Sequence, residues 1–230
     1  MPGLPEQLLT PPLVAPPPVV PSKAPLPKGP ITALPGHGNY LALTIDDGVR
    51  SDVVGAYIKF AQDTGARFTF FVTDVYKSWT DHRSSLVPLV ESGQIQLGNH
   101  TWTHPSLTSL SESAIADQLN RNKRFLQNTF GVDGTPFYRP PYGHRNAAVD
   151  RVAADQGYTA STMWYGTLGD ERVLREQDII ANARTYFRQQ AVVIGHANHP
   201  AVTHIYPQLA EIIRERKLTM VTLDDYFVTG

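Results

Sequence analysis

Seven apolar, β-rich runs alternate with helix-like segments from residue 40 onward, and no other feature restricts the fold of this chain as tightly. The runs cover 40–45, 68–73, 95–98, 136–138, 158–163, 191–195 and 218–223. Helical periodicity falls between them, near 52–64, 84–92, 111–129, 146–156, 176–190 and 203–216. The third helical segment has the clearest limits. Ser111 and Glu112 open it, Ile115, Leu119, Asn122 and Leu126 form one mostly apolar stripe, and Gly131 closes it after Phe130. Strands separated by helices pair in parallel, so the alternation implies an α/β fold, either a doubly wound sheet or a barrel. At 230 residues the chain can bury one large core and still carry an appendage.

The appendage is at the front. Of the 19 prolines, 12 lie within the first 36 residues, among them Pro11, Pro12, Pro16, Pro17 and Pro18. Such a segment forms neither a helix nor a central strand and favours extended polyproline conformations. The chain thus divides into a proline-rich linker or extension over 1–37 and a folded domain over 38–230. The extension suits a spacer leading from an anchor or another domain; it reads equally as an inert tail, or as a strip lying in part along the domain surface. No internal repeat is visible. The net charge of −1 and the lack of a basic run argue against nucleic acid or an anionic membrane as partner. Without cysteine there are no disulfides, thiolate metal sites or cysteine nucleophiles, a composition that fits an exported bacterial protein as well as a cytosolic one. No apolar run reaches the ~20 residues of a membrane helix, and the N-terminus lacks the build of a signal peptide.

Unusual polar residues follow the strands. Asp46 and Asp47 end the first run, His100 and His104 follow the third, Arg139 the fourth, Asp170 the fifth and His196 the sixth. Parallel α/β folds build their sites at the C-terminal ends of strands, so this placement points to an enzyme. Asp46 and Asp47 would face opposite sides inside a strand, but Gly48 lets both turn toward one pocket beyond its end. Two crowded carboxylates require a cation or an arginine between them. His100 and His104, four apart, lie on one side of a helical turn and suit zinc when a carboxylate joins them; alone they read equally as surface or capping residues. Arg139, in the stiff Tyr138-Arg139-Pro140-Pro141-Tyr142-Gly143 stretch, is placed to hold one aspartate or to sit in a solvated turn. Asp170 is placed to fix the tautomer of His196 or to cap a loop. His199 and His204 read as ordinary surface histidines.

In this order the motifs resemble the polysaccharide deacetylase family, carbohydrate esterase family four or the NodB-homology group, over residues 40–223. Thr44-Ile45-Asp46-Asp47-Gly48 is similar to its Thr-Phe-Asp-Asp-Gly motif. His100-Thr101-Trp102-Thr103-His104 matches His-(Ser/Thr)-x-x-His, Arg139-Pro140-Pro141-Tyr142 matches Arg-x-Pro-Tyr, and Ile194-Gly195-His196 is similar to Leu-x-His. The fourth motif departs: where the family reads Asp-x-x-Asp-Trp, this chain has Thr167-Leu168-Gly169-Asp170-Glu171.

The resemblance implies a distorted (β/α)7 barrel of the TIM type, with the proline-rich extension in front of it. It implies a divalent metal, zinc first with cobalt or nickel as alternatives, on Asp47, His100 and His104. Asp46 becomes the general base, held by Arg139, and the backbone N–H of Tyr142 steadies the developing oxyanion. His196, oriented by Asp170, becomes the acid for the departing amine. Pro141, Tyr142, Trp164 and Trp102 become substrate-binding residues, with Trp164 or Trp102 replacing the aromatic wall lost at Glu171. The expected substrate is an acetylated glycan, with N-acetylglucosamine of peptidoglycan first and chitin oligomers second. An acetylxylan O-esterase shares the same site, and a binding module with a degenerate site is the non-enzymatic alternative. The protein is expected to work as a monomer outside the cell or in the envelope of a bacterium.

Overall fold

Strand β1 (Tyr40–Asp47) is buried along almost its whole length, as a strand at the centre of a parallel sheet must be. In the computed structural model, which describes residues 22–229, it pairs in parallel with β2 (Phe68–Val72), β7 (Ala191–His196) and β8 (Thr219–Met220). The remaining strands are β3 (Ile95–Asn99), β4 (Phe137–Tyr138), β5 (Ala160–Ser161) and β6 (Gly166–Thr167). Their order is β5-β4-β3-β2-β1-β7-β6, with β8 paired only to β1. Seven parallel strands therefore curl into a half-barrel that stays open between β5 and β6, a distorted (β/α)7 barrel. The helices are α1 (Ser51–Thr64), α2 (Ser78–Asp81), α3 (Arg83–Glu91), α4 (Glu112–Phe130), α5 (Ala147–Asp155), α6 (Glu176–Tyr186), α7 (Tyr206–Glu215) and α8 (Leu223–Tyr226). None of the described helices is long and apolar enough to cross a membrane.

The period-2 alternation of the strands sorts their side chains into two cores. Leu41, Leu43 and Ile45 of β1 pack outward with the helices, beside Val53, Tyr57 and Ile58 of α1. Ala42 of the same strand joins Phe71, Phe137 and Val192 inside the curl. Continuing the inner rows upward gives Ala42-Thr44-Asp46, Gly98-His100, Phe137-Arg139 and Val192-Ile194-His196. Four polar residues of the sequence motifs thus occupy the tops of inward-facing rows.

Helix α4 shows how the scaffold supports these ends. The Ser111 side chain accepts a hydrogen bond from the Ala114 N–H at 3.3 Å, and Gly131 ends the helix at φ +75°. Asn122, the polar member of its buried stripe, donates to the Val72 carbonyl at 2.5 Å and to Asn99 Oδ1 at 3.0 Å. Its amide nitrogen is thereby satisfied and braces the ends of β2 and β3.

The proline-rich extension divides in two. Residues 1–21, with Pro11, Pro12, Pro16, Pro17 and Pro18, lie outside the described residues. Residues 24–34 are laid against the domain: the Ala24 N–H donates to the Tyr226 carbonyl, and the Leu34 N–H to the Gln190 carbonyl, both at 2.8 Å. Ile31 and Leu34 are buried within the inner core. Two apolar side chains set among prolines give this strip its hold, so the folded unit includes part of the stretch read as extension.

Candidate active site

The tops of the inner rows open into a cavity of about 530 Å³ lined by Asp46, Asp47, His100, His104, Pro140, Tyr142, Gly143, Trp164, Thr167, Glu171, Ile194, His196 and Asn198. Strand alternation alone would turn Asp47 away from this space. Its backbone instead takes φ +74°, followed by Gly48 at φ +99°, and this brings both carboxylates to one side. A side chain is excluded at Gly48, because a Cβ there would lie 2.5 Å from the Trp79 ring. Trp79 in turn donates its indole N–H to the carbonyls of Asp47 and Thr73, each at 3.1 Å. Thr101, His104 and Tyr142 also have positive φ, at 73°, 61° and 59°. Such conformations cost about 1–3 kcal/mol each and persist where the surroundings hold them, so their gathering here marks a built site.

His100 and His104 converge without a helical turn, contrary to the expectation from their spacing. Residues 100–104 form an irregular loop, bent by the positive φ of Thr101 and His104. Asn99 Oδ1 accepts the Thr101 N–H at 2.9 Å, and Thr101 Oγ1 accepts the His104 N–H at 3.1 Å. The rings end 4.9 Å apart between centroids. Each Nε2 faces Asp47 Oδ1, at 3.3 Å for His100 and 3.2 Å for His104. Burial by itself would raise the Asp47 carboxyl, but the two imidazoles hold it well below the usual carboxylate range.

Whether these three fit a cation follows from the protons. His100 Nδ1 lies 2.7 Å from the Arg139 carbonyl oxygen, which only accepts, so Nδ1 carries a proton and the neutral form of the ring has its lone pair on Nε2, the nitrogen that faces Asp47. Burial disfavours the charged ring, but the carboxylates of Asp46 and Asp47 outweigh it and raise the His100 pKa. Asp47 Oδ1 is buried and accepts no hydrogen bond. Its other oxygen, Oδ2, accepts from Asn198 Nδ2 at 2.6 Å. In their deprotonated forms these three groups aim lone pairs at one point, a donor set that suits a divalent cation, and the ligand atoms lie within 4.8 Å of one another.

Asp46 is engaged differently. Arg139, fully buried, donates to Asp46 Oδ1 at 2.6 Å, to Thr44 Oγ1 at 2.9 Å and to the carbonyls of Thr162 and Met163 at 3.0 Å each. Its guanidinium also lies 4.3 Å from the Phe71 ring centroid. Burial draws the Arg139 pKa down while Asp46 opposes the shift, and a guanidinium so placed stays charged. Asp46 Oδ2 remains directed at the cavity, 3.5 Å from His100 Nε2.

On the far wall His196 Nδ1 lies 3.1 Å from Asp170 Oδ1. Burial disfavours the charged imidazole, but the hydrogen bond it donates to Asp170 and the negative field of Asp46 outweigh it and raise the His196 pKa to about 9. With Nδ1–H committed to Asp170, Nε2 is the nitrogen available in the pocket.

The aromatic and proline expectations are corrected in part. Trp164 lines the cavity beside Gly143, and Tyr142, 64% exposed, stands edge-on to His104 at 4.7 Å. Trp102 does not line it; its ring is covered by the guanidinium of Arg121, 4.0 Å away on α4. Pro141 is buried at the start of a 3-10 turn, and its neighbour Pro140 reaches the cavity instead. Neither His199 nor His204 lines the cavity, and His204 pairs with Glu176 at 2.7 Å. Asn198 was missed, although its place two residues beyond His196, at the same strand end, was a usable signal.

Fold and site together define an α/β barrel with a carboxylate–histidine centre at its C-terminal mouth. Residues 34–161 match the polysaccharide deacetylase family, and the chain belongs to that family. It is 28% identical over 191 residues to a chitin deacetylase of Pestalotiopsis sp., an alignment spanning 80% of this chain and 62% of that protein. The Bc1960 peptidoglycan N-acetylglucosamine deacetylase has the same fold, with a TM-score of 0.77, 20% identity, and coverage of 87% of this chain and 93% of that one. So does BA3943, a family-four pseudoenzyme from Bacillus anthracis, with a TM-score of 0.75, 19% identity, and coverage of 88% and 72%. A fold shared by enzymes and a pseudoenzyme leaves the functional reading to the site residues.

Proposed function

We propose that the protein is a metal-dependent polysaccharide N-deacetylase that hydrolyses the acetamide of N-acetylglucosamine units, with peptidoglycan as the first substrate and chitin-type oligomers as the second. One observation carries the reading: a convergent Asp47–His100–His104 group, an Arg139-held carboxylate and an Asp170-held imidazole line a single cavity. Asp47, His100 and His104 would hold a divalent ion, zinc before cobalt or nickel, which would supply Lewis-acid polarisation and a lowered water pKa. Asp46 takes the proton of the attacking water, its unshared Oδ2 facing the cavity while Arg139 fixes Oδ1. The Tyr142 N–H donates to the carbonyl oxygen as negative charge gathers there. His196 delivers its proton from Nε2 to the departing amine, and Asp170 stabilises the imidazolium until then. Water adds to the acyl carbon, the C–N bond breaks, and acetate and a free amino sugar leave. Trp164 and Tyr142 form walls for the sugar ring, and Glu171 occupies the place of the family's tryptophan.

An extracellular or envelope location in a bacterium, and action as a monomer, complete the proposal; the proline-rich lead suits reach toward a wall polymer. The test is acetate release from peptidoglycan, chitin oligomers and acetylxylan by the wild type and the Asp46→Asn variant. Release from the amide substrates that is lost in Asp46→Asn supports the reading. Release from acetylxylan alone identifies an esterase, and glycan binding without acetate identifies a binding module.

A further inference from the structure

The hydrogen bonds behind Arg139 lead away from the cavity toward the proline-rich strip. Arg139 Nε donates to the Thr162 carbonyl and one Nη to the Met163 carbonyl. Both acceptors follow β5, at an edge of the sheet where no further strand of the described residues fixes the backbone. Ile31 takes the place of that strand. Its N–H donates to the Ser161 carbonyl at 2.8 Å, and its carbonyl accepts from the Met163 N–H at 2.7 Å. Its side chain is fully buried in the inner core with Phe71 and Phe137, and Phe71 is the ring over which the Arg139 guanidinium lies. The strip is anchored on its other side as well, where Ala33 bridges to Ala191 of β7.

From this arrangement we infer that Ile31 is a positioning residue for the base. It completes the β5 edge and is buried in the same inner core as Phe71; the Thr162 and Met163 carbonyls then hold Arg139, and Arg139 holds Asp46. The inference rests on the proposed role of Asp46. It gives the strip a part in the reaction although no residue of 22–34 lines the cavity. A planar guanidinium engaged by four acceptors transmits a displacement of its carbonyl partners directly to the carboxylate. A base misplaced by about 1 Å costs on the order of a hundredfold in rate.

The test compares Ile31→Ala, Ile31→Val and Ile212→Ala in the full chain, with Asp46→Asn beside them. Ile212, fully buried on α7, is a deletion of the same size in the outer core. Acetate release gives kcat and KM, measured well below each variant's melting temperature, with metal content recorded in parallel. The expected result is a kcat loss of about thirtyfold in Ile31→Ala and about threefold in Ile31→Val, with KM within about twofold of wild type. Ile212→Ala loses thermal stability yet keeps kcat. Equal kcat losses in Ile31→Ala and Ile212→Ala, or an unchanged kcat in a folded Ile31→Ala protein, overturn the inference. If Ile31→Ala does not fold, Ile31→Val decides by the same criterion. Retained activity in Asp46→Asn refutes the base assignment itself; an inactive Asp46→Asn beside an unaffected Ile31→Ala refutes only the role of the strip.

Discussion

Replacing Arg139 by methionine keeps most of the side-chain volume but removes every donor that Asp46 Oδ1 has in the ion pair. Asp46 is 2% exposed, and the ionisable side chain left beside it, His100, is 3.5 Å from the other oxygen. A buried pair broken from one side costs about 3–5 kcal/mol, because the surviving charge is left without compensation. For a domain of this size each kcal/mol lowers Tm by about 2–4 °C, so Arg139→Met should melt about 6–20 °C below wild type. The cost belongs to the stranded charge, so it should shrink in the Asp46→Asn background. A coupling energy of about 2 kcal/mol is expected, within the usual range for residues in contact. Urea unfolding of the four proteins of this cycle, in chelator so that metal binding does not contribute, measures it. Additive losses, or a loss below about 1 kcal/mol in Arg139→Met, would show that Arg139 does not hold Asp46 as described.

Other consequences are direct. His196 has its pKa raised from 6.5 to about 9, so its pairing with Asp170 stabilises the fold fully below pH 6.5 and loses that contribution as pH rises through 9. A reaction that needs protonated His196 should fall over the same basic limb, and Asp170→Asn should move the limb to lower pH in a kcat profile. Removing the Asn198 contact with Asp47 Oδ2 by Asn198→Ala should weaken zinc affinity by about 10–100-fold in titration calorimetry, with the fold unchanged by circular dichroism. Trp164→Ala should raise KM for oligosaccharides, whereas Trp102→Ala, whose ring is covered by Arg121, should leave KM unchanged.

Much of this architecture is written in the local sequence, for a geometric reason. Parallel strands gather their C-terminal ends, and alternation within each strand sends Asp46, His100, Arg139 and His196 up inward-facing rows; both facts follow from strand order and spacing. The ends of α4 were equally legible, since Ser111 and Gly131 act through backbone chemistry within a few residues. What the sequence hid depends on distant partners. Asp47 turns inward through a left-handed backbone supported by Trp79, 32 positions away. His100 and His104 meet through a loop shaped by Asn99 and Thr101 rather than a helical turn. Strand β6 has two residues, Gly166 and Thr167, and no apolar run to announce it. Ile31 lies among prolines and gains its meaning from the open β5 edge, and Trp102 packs under Arg121 outside the cavity.

The central claim is that Asp47, His100 and His104 hold a metal required for amide hydrolysis in which Asp46 is the base. Acetate release from N-acetylglucosamine oligomers by metal-stripped protein, before and after zinc is restored, tests it most directly. The account predicts no acetate from the stripped wild type, recovery on adding zinc, and no recovery in His104→Ala or Asp46→Asn. Undiminished acetate release by wild-type protein shown to contain no metal would contradict it.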